Sequence, residues 1–191
     1  MIERYQMVER RLPIFSNPKA RKGRYYLRDN FLRAWLSSLA SPVAAINFKP
    51  LEKLVQQADH RLHESEGYGP ERIVGQLYEE RSRKGLEGFA LTHRIEGFWD
   101  RGETEIDLVA ANEDDRIIRF GHCKRSAASL RRDLANFDQH IERFLRHHKK
   151  YENWTIEKVA IAPKIADEGE RKAIAAHGYI PQDLNDLTRG M

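Results

Sequence analysis

The sequence predicts a mixed α/β fold, in which helices flank a mixed central sheet and a β-hairpin with a helical extension precedes it. Three observations favour this class. Residues 105–110 and 117–124 have strand character and are joined by a turn-forming stretch at residues 112–115. Residues 129–151 repeat apolar side chains every three to four positions, which is typical of an amphipathic helix. Strand and helix patterns alternate from residue 70 onward, and this indicates a mixed sheet with helices on its faces.

The first third of the chain is predicted to form a hairpin followed by two helices. Residues 8–12 and 23–27 read as short strands joined by a basic loop that contains proline. Asp29 can cap a helix that runs to about Leu39, with Ser41 and Pro42 ending it. A second helix is expected over residues 50–63.

A break at Gly67-Tyr68-Gly69 predicts a domain boundary, which gives an N-terminal domain at 1–66 and a second domain at 67–191. Pro70 suits the first position of the helix that follows. The elements expected in the second domain are helices at 70–84, 129–151 and 167–177, and strands at 90–95, 105–110, 117–124, 155–161 and 179–180.

Composition limits the class of protein. A chain of 191 residues can bury a core without disulfides, and the single cysteine, Cys123, suits a reducing compartment. The N-terminus is charged where a signal peptide would be apolar, and no run approaches the roughly 20 apolar residues of a membrane span. We therefore expect a cytoplasmic protein with no membrane partner.

The charge is unevenly distributed. Residues 1–33 hold nine basic and three acidic side chains, residues 64–115 hold six and fourteen, and residues 116–150 hold ten and three. An acidic centre between basic flanks fits a metal-dependent enzyme that acts on nucleic acid. Ordinary solvated helix faces would give the same distribution, so composition leaves both interpretations open.

A polar group in the 105–124 hairpin breaks the apolar pattern. If Asn112 pairs with Ile117, Asp107 lies opposite His122. Because side chains alternate along a strand, Glu105 and Asp107 would share a face with His122 and Lys124, while Ile106 and Leu108 would point to the other face. Polar groups at such positions are often functional, although an incidental ion pair between Asp107 and Lys124 would look the same.

Metal-assisted phosphodiester cleavage is the chemistry that fits these side chains. Mg²⁺ or Mn²⁺ takes carboxylate oxygens, and it lowers the pKa of an attacking water. Asp107 is then the candidate central ligand, Glu79 a candidate further ligand, and Lys124 the group that orients water or phosphate. The candidate nucleic-acid-binding residues are Arg125, Arg131 and Arg132, although solvated arginines at a helix start are common.

Several sequence strings together resemble a known family. They are VGQLYEE (74–80), GFWD (97–100), EIDLVA (105–110) and FGHCK (120–124). They resemble the nuclease-like domain of unknown function, of the PD-(D/E)XK superfamily, that ends many prokaryotic ATPases of the archaeal ATPase family. VERRLPI (8–14) and KGRYYLRDNFLR (22–33) resemble the wing and connecting helix of the winged-helix domain that precedes it there.

The resemblance implies a restriction-endonuclease-like fold, a divalent cation, nucleic acid as a partner and an association with ATPases. Family members usually carry Glu where this sequence has His122, so the resemblance also implies a weakened or degenerate site in which imidazole replaces a carboxylate ligand. The sequence has no phosphate-binding loop, so the ATPase module is absent. The chain is then expected to be a piece of a longer protein, a truncated gene product or a partner subunit.

Two functions remain open at this point. The first is a nucleic-acid-associated, nuclease-like domain, in which Mg²⁺- or Mn²⁺-dependent hydrolysis is weakened by His122. The second is a catalytically inactive interaction or dimerisation module. Either self-association through the N-terminal hairpin or docking of this hairpin on the body of the chain is expected, because Val8, Leu12, Tyr25 and Leu27 would form an apolar face.

Overall fold

The computed structural model describes residues 7–65, 70–86, 88–100 and 104–191. It divides into two units: unit 1 comprises Met1–Leu12 and Asn17–Gly69, and unit 2 comprises Pro13–Ser16 and Pro70–Met191. The boundary expected between residues 66 and 67 lies outside the described residues.

Unit 1 consists of a β-hairpin and helices. Strands β1 (Val8–Arg11) and β2 (Arg24–Leu27) pair antiparallel, with Val8 opposite Leu27. The helical part contains α1 (Asn30–Ala34), a π-helical turn (Trp35–Leu39), α2 (Ala40–Ala44) and α3 (Leu51–Ser65). The predicted cap is confirmed, since the Asp29 carboxylate accepts a hydrogen bond from the Leu32 N–H at 2.7 Å.

The predicted end of the first helix at Ser41-Pro42 is wrong. Helical structure continues through Pro42, which is buried within α2. In the preceding π-helical turn the Ala40 N–H donates to the Trp35 carbonyl, five residues earlier. A π-turn widens the helix, and this relieves the clash between a proline ring and the carbonyl of the turn before it.

Unit 2 is built on a five-stranded mixed sheet of order β3-β4-β5-β6-β7. The first three strands pair antiparallel and the last three pair parallel. The strands are β3 (Glu96–Trp99), β4 (Glu105–Asn112), β5 (Ile117–Cys123), β6 (Thr155–Ile161) and β7 (Ile180–Gln182). The helices are α4 (Pro70–Arg83), α5 (Ala127–His147), α6 (Glu168–Ala176) and α7 (Leu184–Thr188). The mixed α/β class is therefore confirmed.

In unit 2 one predicted strand is misplaced and one helix was not predicted. The strand expected at 90–95 lies instead at Glu96–Trp99. Residues before it make single hydrogen bonds to different partners, from Leu91 N–H to Ser82 Oγ at 2.8 Å and from Thr92 N–H to the Ala111 carbonyl at 3.0 Å. Helix α7 was not predicted, although Asp183 and Asp186 form a capping box at its start.

Each face of the sheet carries a core. The core under α5 is completed by Ile14, whose N–H donates to the Gly97 carbonyl at 2.9 Å. It includes Ile106, Val109, Ile118, Phe120, Leu130, Leu134, Phe137, Ile141 and Phe144. The core under α4 includes Val74, Tyr78, Phe89, Ile95, Leu108, Ala110, Cys123, Val159 and Ile161. No helix in the described part of the chain is both long and apolar enough for a membrane crossing.

Candidate functional site

A β-bulge in β4 sets the position of Asp107. The predicted pairing of Asn112 with Ile117 is confirmed. On the β3 side, Glu96 lies opposite Val109 and Phe98 opposite Ile106, so β4 advances three residues while β3 advances two. The extra residue disrupts the alternation of side chains at this point.

The bulge overturns one expectation about the faces of the sheet. Ile106 and Leu108 were expected on one face, but Ile106 packs in the core under α5 and Leu108 in the core under α4. Gly97 faces the bulge, and a Cβ at that position would lie 3.1 Å from the carbonyl oxygens of Ile106 and Asp107. The glycine therefore allows β3 to lie close against the bulged strand.

The Asp107 carboxylate is held at the end of β5. Its Oδ2 accepts a hydrogen bond from the Cys123 N–H at 2.7 Å and lies 3.1 Å from His122 Nδ1. The bulge thus leaves Asp107 beside the last two residues of the neighbouring strand.

His122 lies between two carboxylates. Its side chain is about 6% exposed, and its ring stacks on Phe137 of α5 with centroids 4.3 Å apart. While Nδ1 faces Asp107, Nε2 lies 3.1 Å from Oδ2 of Asp133, which projects from α5. Only the doubly protonated imidazole can donate to both carboxylates at once.

Lys124 completes this group. Its Nζ lies 2.9 Å from the same Oδ2 of Asp133, and the Asn136 amide donates to the other oxygen at 3.3 Å. Burial alone would raise the pKa of the Asp133 carboxyl, but the hydrogen bond and charge of Lys124 and the charge of His122 lower it overall. We call Asp107, His122, Lys124 and Asp133 the ion cluster; with His122 protonated, its two cations balance its two carboxylates.

The structure therefore brings together three of the predicted site residues, Asp107, His122 and Lys124. It adds Asp133, which sequence reasoning missed because its role depends on how α5 lies over the sheet. The sequence spacing gives a partial indication of this role. Asp133 lies three residues before Asn136 on one flank of α5, and one turn before Phe137, whose ring stacks on His122.

Glu79 pairs with a residue outside the ion cluster. Its carboxylate pairs with Arg94 at 3.7 Å, and Arg94 also pairs with Glu96 at 3.3 Å. Glu71, in the first turn of α4, is eight residues earlier, which is about 12 Å along the helix axis. Burial, Asp107 and Glu71 together raise the pKa of the Cys123 thiol well above its usual value. Glu71 is therefore the α4 carboxylate whose charge acts at the end of β5.

The ion cluster does not fit a divalent cation. Within the described residues, no group of three or more His, Cys, Asp or Glu side chains is placed to hold a metal ion. The chemical reason is that both nitrogens of His122 face carboxylates, and the ring separates the two acids that a cation would need to bridge. The Lys124 ammonium already pairs with one of those acids.

Basic side chains follow the cluster along the chain. Arg125, Arg131 and Arg132 are exposed at the start of α5, where Ser126 caps the helix by accepting a hydrogen bond from the Ser129 N–H. Arg131 lies 3.6 Å from Glu170, and Arg132 donates to Ser129 Oγ at 3.4 Å. A helix N-terminus also favours negative charge, so this surface can attract an anion.

Comparison with known proteins places the chain in a family. The model of a family of archaeal and bacterial proteins of unknown function, DUF234, matches residues 35–137, more than half of the chain. The chain belongs to this family. The match includes the whole ion cluster, from Asp107 to Asp133.

One curated relative is an uncharacterized protein of Methanocaldococcus jannaschii. It is 29% identical over 135 residues, which make up 68% of this chain. The match spans only 30% of that protein's length. No solved structure matches the chain.

Proposed function

We propose that unit 2 is a nuclease-like domain with a restriction-endonuclease-like fold, which binds nucleic acid without metal-dependent hydrolysis. The observation that carries the proposal is the position of His122, within 3.1 Å of both Asp107 and Asp133. In the resembling nuclease family, a carboxylate stands at this position and helps to hold a dication. Here the imidazole itself lies between the acids.

Having His122 in place of a carboxylate changes the charge balance of the site. A carboxylate at position 122 would leave three acids and Lys124, a group that needs a cation for balance. With His122 protonated, the four charges of the ion cluster cancel, so a dication would have to displace hydrogen bonds already formed. Mg²⁺ also prefers oxygen to imidazole nitrogen, whereas Mn²⁺ accepts imidazole more readily.

Binding of nucleic acid is supported by the cations near the cluster. Lys124 is partly exposed, and Arg125, Arg131 and Arg132 follow it at the start of α5. Such side chains bind phosphate groups, and the helix N-terminus adds to the positive potential. None of these contacts needs a metal ion.

The first test compares metal binding by three proteins. Calorimetric titration of Mg²⁺ and Mn²⁺ into the wild type should show no Mg²⁺ binding and at most weak Mn²⁺ binding. His122→Glu should gain Mg²⁺ binding, because it supplies an oxygen ligand and adds a negative charge. Asp107→Ala in the His122→Glu background should abolish that gain. His147→Glu, an exposed histidine near the end of α5, is the matched control and should bind no metal.

Cleavage and binding assays complete the test. Plasmid and single-stranded substrates should remain intact with either metal, while a labelled duplex should bind less tightly to Arg131→Ala/Arg132→Ala than to the wild type. Robust Mg²⁺-dependent cleavage by the wild type would contradict the proposal. Unchanged binding of the duplex by the double variant would show that Arg131 and Arg132 do not form the binding surface.

A second candidate function is favoured by the surface of unit 1. Of the four hairpin side chains expected to support self-association, Tyr25 is exposed, while Val8, Leu12 and Leu27 are half-buried. The helical part exposes more apolar area, with Phe31 76% and Phe48 73% exposed. Exposed apolar surface of this extent is typical of an interaction site. We infer that unit 1 pairs with a second copy of the chain.

Analytical ultracentrifugation can test whether unit 1 pairs with a second copy of the chain. The wild type should sediment as a dimer, and Phe31→Ser/Phe48→Ser should shift it to the monomer without loss of helical signal. Tyr25→Ser is the control on the hairpin and should leave the dimer intact. A monomeric wild type would contradict self-association, and an ATPase-family protein, the partner implied by the resemblance, would then be the occupant to test.

A further inference from the structure

A short turn between β1 and β2 is part of unit 2. Residues Pro13–Ser16 form this turn, which we call the docked turn, and they belong to unit 2, although the strands on either side belong to unit 1. The Ser16 N–H donates to the Pro13 carbonyl at 3.1 Å, as in a β-turn. Pro13 and Ile14 are buried, and Ile14 is part of the core under α5.

The docked turn is held in an unfavourable backbone conformation. Phe15 has a φ of 61°, in the left-handed region where a large side chain is strained. Its ring lies 5.3 Å from the Tyr151 ring and 5.9 Å from the His93 ring, and the Lys150 ammonium lies 5.5 Å from its centre. Lys150 in turn pairs with Glu113 at 3.1 Å. Strain of this kind persists only where surrounding contacts hold it, so these side chains fix the docked turn in place.

The docked turn bonds to β3 at a glycine. The Ile14 N–H donates to the Gly97 carbonyl at 2.9 Å. Gly97 also lies so close to the bulge in β4 that a Cβ there would be 3.1 Å from the carbonyl oxygens of Ile106 and Asp107. Gly97 therefore contacts both the docked turn and the bulge, and a displacement of β3 would change both contacts.

The bulge in turn sets the position of the Asp107 carboxylate. Its Oδ2 accepts a hydrogen bond from the Cys123 N–H at 2.7 Å and lies 3.1 Å from His122 Nδ1. Hydrogen bonds to an ionised acceptor are stronger than those between neutral groups. The Asp107 carboxylate thus ties the end of β5, just before Lys124, to β4.

We propose that Ile14 is a positioning residue for the ion cluster. Its N–H holds Gly97 and so keeps β3 against the bulge, and the bulge keeps the Asp107 carboxylate at the end of β5. When the docked turn withdraws, β3 moves away from the bulge and Asp107 loses its partners. The end of β5, which leads into Lys124, then becomes less ordered. The docked turn thereby regulates the surface that binds nucleic acid, a consequence that rests on the function proposed for unit 2.

Hydrogen exchange of backbone amides, followed by NMR on the full chain, tests the inference. Ile14→Pro removes the N–H at a turn position that favours proline, and Gly97→Ala brings a Cβ against the bulge. Each should lower the protection of the Cys123 amide by about tenfold, as loss of a hydrogen bond to a charged acceptor implies. The double variant should lower it no further than the larger single effect, because both changes act through Gly97. Ile14→Val keeps the N–H and a branched apolar side chain, so this matched control should leave the protection unchanged.

Amides elsewhere in β5 distinguish positioning from a general loss of stability. Ile118 and Phe120 are fully buried in the same strand, and the protection of their amides should not change. An equal fall in protection at Ile118, Phe120 and Cys123 would show only that the variants unfold more readily, and the inference would be overturned. Unchanged protection of Cys123 in both single variants would overturn it as well.

Duplex binding separates this inference from the proposed function. Fluorescence anisotropy with a labelled duplex should show about threefold weaker binding by Ile14→Pro than by Ile14→Val, because binding must then order an additional side chain. If the wild type binds no duplex, the function proposed for unit 2 fails, while the exchange of the Cys123 amide still decides whether Ile14 positions the ion cluster. If Cys123 loses protection while duplex affinity stays the same, regulation of binding by the docked turn is overturned.

Discussion

Two groups of charged side chains lie on opposite faces of β5. One is centred on Arg119, and the other is the ion cluster, centred on His122 three residues later. On the α4 face, Arg119 bonds one oxygen of Glu157 through both Nε and Nη2, at 2.8 and 2.7 Å. Its guanidinium is enclosed by the rings of Phe89 at 4.5 Å and Tyr78 at 5.6 Å. On the α5 face, His122 joins Asp107 to Asp133, and the Lys124 ammonium pairs with Asp133.

The two groups differ in how far their charged side chains are exposed to solvent. The Arg119 pair is one cation and one anion between aromatic rings, so its charges interact with each other. The ion cluster ends in Lys124 and Asp133, whose side chains are about a third exposed and lie near the basic start of α5. Similar chemistry on one strand is therefore enclosed by aromatic rings on one face, and on the other it leaves charged side chains accessible to solvent.

The largest change in the free energy of unfolding is expected when Arg119 is replaced. Arg119→Ala should lower the free energy of unfolding by about 3 kcal/mol, because it leaves Glu157 partly buried without its partner and opens space between the aromatic rings. Duplex affinity should not change under conditions where the variant is folded. Urea unfolding followed by circular dichroism measures the first quantity, and fluorescence anisotropy measures the second.

Arg146→Ala provides the comparison for that experiment. Arg146 is exposed and pairs with Glu142 on the same helix at 3.6 Å, so its loss should change stability by less than about 0.5 kcal/mol. A reduction of duplex affinity by Arg119→Ala, but not by Arg146→Ala, would show that the α4 face also contributes to binding. The proposal that only the α5 face of the sheet contributes to duplex binding would then be wrong.

Sequence reasoning found the elements whose signals are local. The hairpin register followed from turn residues at 112–115, and the strand at Thr155–Ile161 was predicted to end before Pro163. That register places Asp107 opposite His122 on the basis of the sequence alone. These predictions succeeded because pairing across a short loop leaves few alternatives.

The remainder depended on tertiary structure. The bulge in β4 arises where β3 packs closely at Gly97, and no pattern within residues 105–110 signals it. Asp133 joins the ion cluster only because α5 places that flank over His122. Glu79 was selected for its place on the helix that precedes the strands, whereas its carboxylate pairs with Arg94 and the charge of Glu71 acts on Cys123 at the end of β5.

A smaller and more diagnostic effect is expected at Asp133. Its carboxylate lies 2.9 Å from the Lys124 ammonium, so a phosphate that approaches Lys124 competes with Asp133 for the same cation. Asp133→Asn keeps an oxygen acceptor of the same shape and removes the competing charge. Because the side chain is about a third exposed, solvent screening limits the gain to about 1 kcal/mol, or roughly fivefold in duplex affinity. One added phosphate contact should also steepen the salt dependence by about 0.9.

Asp138→Asn is the matched control, because Asp138 lies on the same helix and its Oδ1 lies 2.9 Å from the Lys158 ammonium. Both variants remove one negative charge from α5, so a general change of net charge would raise affinity equally in the two proteins. A gain confined to Asp133→Asn would show that Lys124 is restrained by Asp133 and becomes available to phosphate when that charge is lost. A loss of affinity in Asp133→Asn would mean instead that the carboxylate holds Lys124 in its binding position. An unchanged affinity would show that Lys124 does not contact phosphate; the ion cluster would then resemble the closed Arg119 pair, and the contrast between the two faces would disappear.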